Sequence, residues 1–300
     1  MSPRYAYYPG CSGLGSSLEY DTSTRAMCES LGVELVDIPD WNCCGSTPAH
    51  AVDHLLSACL AGRNLEIADG MAEERKLDGI ITPCPSCLKN LKTTQRSLSD
   101  PEFRRKVEQV LGKPLRAGLP IKSVLQVVVE DLGVEALGRL VKTPLAGMRV
   151  VPYYGCIMVR PPRLMRFDDP ENPMALDNLL RELGAEVLPF ALKTDCCGAA
   201  LGTVRKDVVA RLSGRILDAA VEAGADAIVT ACPLCQMNLD MRRPQINRAN
   251  RSRHNLPVFY YSQLAGLASG QGEAATMMDK LCVSPRLLLN SLAQHTGERA

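Results

Sequence analysis

No apolar run in the sequence approaches the roughly 20 residues that a membrane-spanning helix needs. A G-x-G-x-x-G phosphate loop is also missing, which argues against a flavin or nicotinamide site in this chain. Charge excess is absent too: 34 Lys and Arg face 33 Asp and Glu, a net +1. Neither nucleic acid nor an anionic membrane is therefore an expected partner. The segment Met1-Ser2-Pro3-Arg4-Tyr5 runs straight into strand-like sequence, with no basic region, apolar core or cleavage site. The expectation is a cytoplasmic chain without a signal peptide. Hydrophobic residues at 46% and charged residues at 22% over 300 positions suit a globular protein with room for two domains.

Cysteine is what the sequence has in excess, with thirteen residues. Without an export signal a disulfide framework is not the expected use, and in a reducing compartment clustered cysteines point to metal or redox chemistry. Their spacing repeats. The first half contains Tyr7-Tyr8-Pro9-Gly10-Cys11, Asn42-Cys43-Cys44-Gly45 and Thr82-Pro83-Cys84-Pro85-Ser86-Cys87. The second contains Tyr153-Tyr154-Gly155-Cys156, Asp195-Cys196-Cys197-Gly198 and Thr230-Ala231-Cys232-Pro233-Leu234-Cys235. Flanks repeat as well, Gly32-Val33-Glu34-Leu35-Val36 with Gly184-Ala185-Glu186-Val187-Leu188, and each half closes on a Leu-Pro segment at 119–121 or 256–258. Corresponding cysteines lie 145 to 153 residues apart, so the chain divides into repeats 1–145 and 146–300. Cys28, Cys59 and Cys282 fall outside the repeat and are expected to be incidental. Cys59 shares a helical face with Val52, Leu55, Leu56 and Leu60, which suits a buried, inert thiol.

Arg4 to Tyr8, Val33 to Ile38 and Gly79 to Thr82 read as strands, as do Val150 to Tyr154, Val187 to Phe190 and Ala227 to Thr230. Helical patterns lie between them: Tyr20, Thr24, Met27 and Leu31 recur at helical spacing, and Ala51 to Met71 is amphipathic. Alternating strand and helix predicts an α/β fold of two pseudo-repeated Rossmann-like domains, each a parallel sheet with flanking helices. Each cysteine motif follows a strand and precedes a helix, so five thiols per half collect at the carboxyl ends of the strands. Helix N-termini there favour an anionic thiolate–metal centre. Five sulfurs exceed what one tetrahedral zinc uses, and a sulfur-only set selects zinc or an iron–sulfur cluster over harder metals. The adjacent pair Cys43-Cys44 suits ligands on different irons, and the short ferredoxin run of cysteines is absent. A disulfide relay through the C-x-x-C pairs is the competing reading; it leaves Cys11, Cys43 and Cys44 without a task.

Cys, then Cys-Cys-Gly, then Cys-Pro-x-Cys, in duplicate, closely resembles the CCG-domain family typified by the B subunit of heterodisulfide reductase. The resemblance extends from Cys11 to Cys235 and includes the stretch from Gly155 through Arg160-Pro161-Pro162 to Pro173. It implies a non-cubane 4Fe–4S cluster in each half. Cys11, Cys43, Cys44, Cys84 and Cys87 would hold one; Cys156, Cys196, Cys197, Cys232 and Cys235 would hold the other. It further implies cleavage or formation of a disulfide, small or protein-bound, between two clusters, with a ferredoxin-like C subunit and a flavin-containing A subunit as partners. A non-catalytic electron-relay component of a dehydrogenase or quinone-linked complex is the alternative, and a zinc protein a third class. His50 and His54, one helical turn apart, are expected on a solvated face, with a proton-donor role open. Arg160, Arg163 and Arg166 would suit an anionic group or a surface loop. The tail 270–300 is read as a docking helix or a partly disordered segment.

Overall fold

The computed structural model describes residues 2–46 and 48–297. Four short strands form the first sheet: β1 (Arg4–Tyr7), β2 (Glu34–Asp37), β3 (Gly79–Thr82) and β4 (Ile121–Ser123), in spatial order β2-β1-β3-β4. The second sheet repeats the plan with β5 (Arg149–Tyr153), β6 (Glu186–Val187), β7 (Ala227–Thr230) and β8 (Val258–Tyr260), in order β6-β5-β7-β8. Every pairing is parallel. The protein is thus α/β, with two Rossmann-like repeats. In each, the chain turns to opposite sides of the sheet from the first strand, opening a crevice at the carboxyl ends.

The fourth strands β4 and β8 follow the two Leu-Pro segments and were not expected as strands. The expected strand at Val187 to Phe190 is reduced to Glu186–Val187. Side-chain alternation explains how two sheets share one protein. Tyr5, Tyr7 and Ile81 face a central core, whereas Ala6, Tyr8 and Ile80 face the outer helices of the first half. In the second half Val150, Val229 and Phe259 face that same central core, and Val151, Ile228 and Val258 face outward. Five layers result: helices, sheet, a middle layer of helices, sheet, helices.

The helices α1 (Leu18–Ser30), α2 (His54–Arg75), α3 (Pro85–Ser97), α4 (Val134–Gly138), α5 (Pro162–Met165), α6 (Ala175–Glu182), α7 (Lys206–Glu222) and α8 (Tyr261–Ala268) set the site and the middle layer. The middle layer is cross-packed, with α1 of the first half against α8 of the second, and α4 of the first against α6 of the second. Tyr20 stacks on Tyr260 with ring centroids 4.0 Å apart, and Ser23 and Ser262 share a 2.7 Å hydrogen bond. The amphipathic stretch expected from Ala51 to Met71 is broken at Asp53. Its carboxylate accepts from Leu55 N (2.6 Å) and Leu56 N (3.2 Å) and caps α2. The break turns Val52 and Leu56 toward solvent, 81% and 46% exposed, so they do not share the buried face of Cys59. Helices Glu273–Thr276 and Arg286–Gly297 lie within the tail. Among the described residues no helix is long and apolar enough to cross a membrane.

Candidate metal centres

The first five cysteines meet at the carboxyl edge of β1, β2 and β3. Cys11 lies in the single helical turn Gly10–Gly13, Cys43 and Cys44 in the irregular loop after β2, and Cys84 is the N-cap of α3 with Pro85 opening the helix. Their sulfurs form a chain: Cys11 contacts Cys43, Cys43 contacts Cys44, Cys44 lies 3.4 Å from Cys87, and Cys87 contacts Cys84. In the second half Cys156 contacts Cys196, while Cys197 lies 3.7 Å from Cys235, which contacts Cys232. Cys232 caps a helical turn as Cys84 does, but Cys156 sits in an irregular loop rather than at a helix start. In both sets three thiols are buried and two are open. Cys11, Cys43 and Cys196 are exposed and Cys156 half-buried.

The backbone leaves little space around these sulfurs. A Cβ added at Gly10 would stand 3.0 Å from Cys87 Sγ, and one at Gly155 would stand 2.7 Å from Cys235 Sγ. Both glycines also hold positive φ, +72° and +68°, where an L side chain is strained. The Cys-Cys-Gly loops are tied down by residues that the cysteine pattern alone does not reveal. Tyr8 O–H donates to the Asn42 carbonyl (2.8 Å) and Tyr153 O–H to the Asp195 carbonyl (2.7 Å), each just before the cysteine pair. Burial first, and then the neighbouring cysteines, push both phenols above their ordinary pKa and keep these donors protonated. Asn90 donates to the Cys44 carbonyl; Asn238, at the same place after Cys235, donates to the Cys197 carbonyl and to Cys197 Sγ, both at 3.4 Å. Ser57 and Ser213 hydroxyls donate to the carbonyls of Gly45 and Cys197. The signal was in the repeat: Cys-Pro-x-Cys-x-x-Asn occurs in both halves.

Electrostatics test what such a set can hold. Donation from Cys11 pulls the Cys43 thiol down to about 2, and donation from Cys156 pulls Cys196 down to about 6. Their neighbours move the other way: the Cys43 contact pushes Cys44 up to about 12, and the Cys44 contact, with burial, pushes Cys87 well up. Five thiolates cannot ionise together in so small a volume, because like charges raise one another's pKa. A polynuclear cationic centre removes that conflict. The pairwise chain of sulfurs suits ligands spread over several metals, and backbone N–H groups of Gly45, Gly198 and Ala199 lie 3.3–3.5 Å from Cys43, Cys196 and Cys197 sulfurs. The donor set fits an iron–sulfur cluster in each half.

The two sets are neighbours. Pro85 and Ser86, which stand between Cys84 and Cys87, line the same cavity as Cys156, Cys197, Cys232 and Cys235. Tyr20 O–H reaches across to the Ala231 carbonyl, beside Cys232, at 3.2 Å. The other candidates fall elsewhere. His50 and His54 are exposed, their rings 5.2 Å apart, at a small cavity behind Asn90 and Ser57. Arg160 is held by Glu171 (2.8 Å), while Arg163 and Arg166 face a groove beside α3. Cys28 is buried in the central core and Cys59 in the first outer core, whereas Cys282 is exposed.

Each site is braced by a tyrosine, a carboxylate and a cation. Tyr7 O–H donates to Asp21 (2.7 Å), which pairs with the part-exposed Arg25. Tyr154 O–H donates to Asp177 (2.7 Å), which pairs with buried Lys193 (2.8 Å). The Lys193 carbonyl in turn accepts from Tyr154 N and Gly155 N, joining the Cys156 turn to the segment that leads to Cys196. Lys193→Ala leaves Asp177 as an unpaired buried charge and is expected to cost about 3–5 kcal/mol. Arg25→Ala also strands a buried carboxylate, Asp21, but water reaches it through the space that the part-exposed arginine leaves, so the expected cost is lower, about 1–2 kcal/mol. Urea midpoints of the two variants check the ranking; equal shifts would remove Lys193 as a brace.

Fold and site together define a tandem cysteine-rich α/β protein with one thiol cluster per repeat. The chain belongs to the cysteine-rich CCG-domain family, in the group that includes the B subunit of heterodisulfide reductase: the cysteine-rich domain profile matches residues 5–92 and 150–240. It is 32% identical to the 8-methylmenaquinol:fumarate reductase membrane anchor subunit of Wolinella succinogenes, over 90% of this chain and 93% of that protein. It is 30% identical to the B subunit of the ferredoxin:CoB-CoM heterodisulfide reductase of Methanosarcina mazei, over 83% of this chain and 84% of that protein. The crystal structure of a hypothetical protein from Helicobacter pylori shares the fold, with a TM-score of 0.75 at 14% identity, covering 95% of this chain and 52% of that one.

Proposed function

We propose that the chain is the cytoplasmic catalytic subunit of a heterodisulfide-reductase-like complex, in which a disulfide is cleaved or formed between two non-cubane 4Fe–4S clusters. In this reading repeat 1–145 holds one cluster through Cys11, Cys43, Cys44, Cys84 and Cys87. Repeat 146–300 holds the other through Cys156, Cys196, Cys197, Cys232 and Cys235. The observation that carries the reading is the cavity that the Cys156 set shares with Pro85 and Ser86 of the first set. When bound, two clusters supply the two electrons that a disulfide consumes; the balance is one disulfide, two electrons and two protons to two thiols. The chain's own residues hold the sulfur ligands in place through the Tyr8, Tyr153, Asn90 and Asn238 donors, and bring the two repeats to one opening. A ferredoxin-like C subunit and a flavin-containing A subunit would complete the electron path, since this chain has no phosphate loop for a flavin.

The relay reading has its own support in the similarity to a methylmenaquinol:fumarate reductase component. In that case electrons pass through the two centres to or from a quinone-linked partner, with no disulfide chemistry here. Protein isolated without oxygen is expected to be brown and to carry about eight irons with matching sulfide, the content of two four-iron clusters. Spectral change on adding candidate disulfides to the reduced protein then favours the catalytic reading, and silence towards all of them favours the relay. A colourless preparation holding only zinc would remove both.

A further inference from the structure

Beside the later turns of α3 lies a groove of about 850 Å³ walled by α3, β4 and α5. Lys92, Arg96, Lys122, Arg163 and Arg166 line it, and no acidic side chain does. Lys122 pairs with Asp131 and, at 3.6 Å, with Glu130. Arg96, Arg163 and Arg166 have no ion-pair partner among the described residues, although Arg160 in the same loop pairs with Glu171. Lys92 donates to the Met165 carbonyl (2.7 Å); burial pushes its pKa down to about 8, with Glu130 opposing the shift and Lys122 and Arg166 adding to it. Like charges held this close repel, and a bound anion relieves that. The floor carries a second clue. Gln126 is 4% exposed, and its Oε1 has no hydrogen-bond partner while its Nε2 donates to Glu130 and the Arg166 carbonyl. A buried acceptor left without a donor is costly, so a ligand with an O–H or N–H group fits there.

We infer that the groove between α3, β4 and α5 binds a small polyanion, a molecule with several phosphate or carboxylate groups and a neighbouring hydroxyl or N–H donor. Three unpaired guanidiniums supply planar forks matched to such oxygens, and Gln126 Oε1 takes the donor. The concave shape and the buried glutamine favour a small molecule over the flat acidic face of a partner protein. The site is independent of what the cysteines hold, since none of the ten lines it.

Calorimetric titration of the full chain, isolated without oxygen, with citrate and with inorganic pyrophosphate tests this. Saturable one-site binding of at least one probe is expected at about 0.15 M salt, where exposed charges are largely screened. Arg163→Gln with Arg166→Gln should weaken it at least tenfold, and Gln126→Leu should weaken citrate, which has a hydroxyl, more than pyrophosphate. Arg181→Gln, an exposed arginine on α6, should leave binding unchanged, and iron content should be the same throughout. Heats that do not saturate, binding lost at 0.15 M salt, or equal loss in the Arg181 control would overturn the site. So would capture of an acidic polypeptide with neither small probe bound.

Discussion

Cys43→Ala is expected to remove roughly half the iron from the anaerobically isolated protein, the share of one of two four-iron clusters, and to bring turnover to background. Cys43 sits in the middle of a sulfur chain, touching Cys11 on one side and Cys44 on the other. Its loss breaks that chain and exposes a corner of the centre to solvent. Cys196→Ala should act likewise in the second half, where Cys196 contacts Cys156. The contrast is with Cys59→Ala and Cys282→Ala. Cys59, on the buried face of α2, packs in the outer core and Cys282 is exposed, and neither joins a sulfur contact. Both variants should keep their iron and their rate, with Cys59→Ala losing only about 1 kcal/mol of packing. Iron and sulfide quantification on all four variants decides it. Comparable iron loss from Cys59→Ala and Cys43→Ala would dissolve the distinction between repeated and incidental thiols.

The second large effect is functional coupling between the repeats. Cys44→Ala and Cys197→Ala should each abolish disulfide turnover, and the double variant should be no slower than either single one. Groups that act as a unit lose their joint contribution at the first removal, so later removals add little. The structural ground is proximity: Ser86, beside Cys87, faces the cavity of the Cys156 set. Turnover that survives in one single variant, with its iron in the other repeat intact, would break the coupling and show that one repeat suffices for the disulfide chemistry.

Local signals carried the strands that precede cysteines. Tyr5, Leu35 and Ile81 sit in compact runs of apolar and aromatic residues, and those runs became β1, β2 and β3. The fourth strands were illegible because three residues after a proline offer too short a pattern; pairing with β3 and β7 makes them strands. Asp53 carried a readable signal, a capping residue inside an apparently continuous helix, yet hydrophobic periodicity outweighed it. The repeat named the ten thiols without naming their supports. Asn90 and Asn238 recur at the same place after each Cys-Pro-x-Cys, but their bonds, like those of Ser57 and Ser213, run to carbonyls in distant loops that the repeat does not point to. The stacked pair Tyr20 and Tyr260 belongs to elements at opposite ends of the chain, and only the folded middle layer brings them together.

That middle layer has an evolutionary reading. Each repeat lends two helices to cover the other, α1 against α8 and α4 against α6, in the reciprocal manner of a two-fold symmetric homodimer. The chain has the architecture of such a dimer fused into a single polypeptide, with the former interface between protomers now its largest apolar core. Fusion frees two sites that symmetry would keep identical. Asn90 bonds the Cys44 carbonyl and Ser57, while Asn238 also reaches the Cys197 sulfur. Ancestral twins can in this way come to hold their thiols through different donors, a difference that an identical pair could not carry.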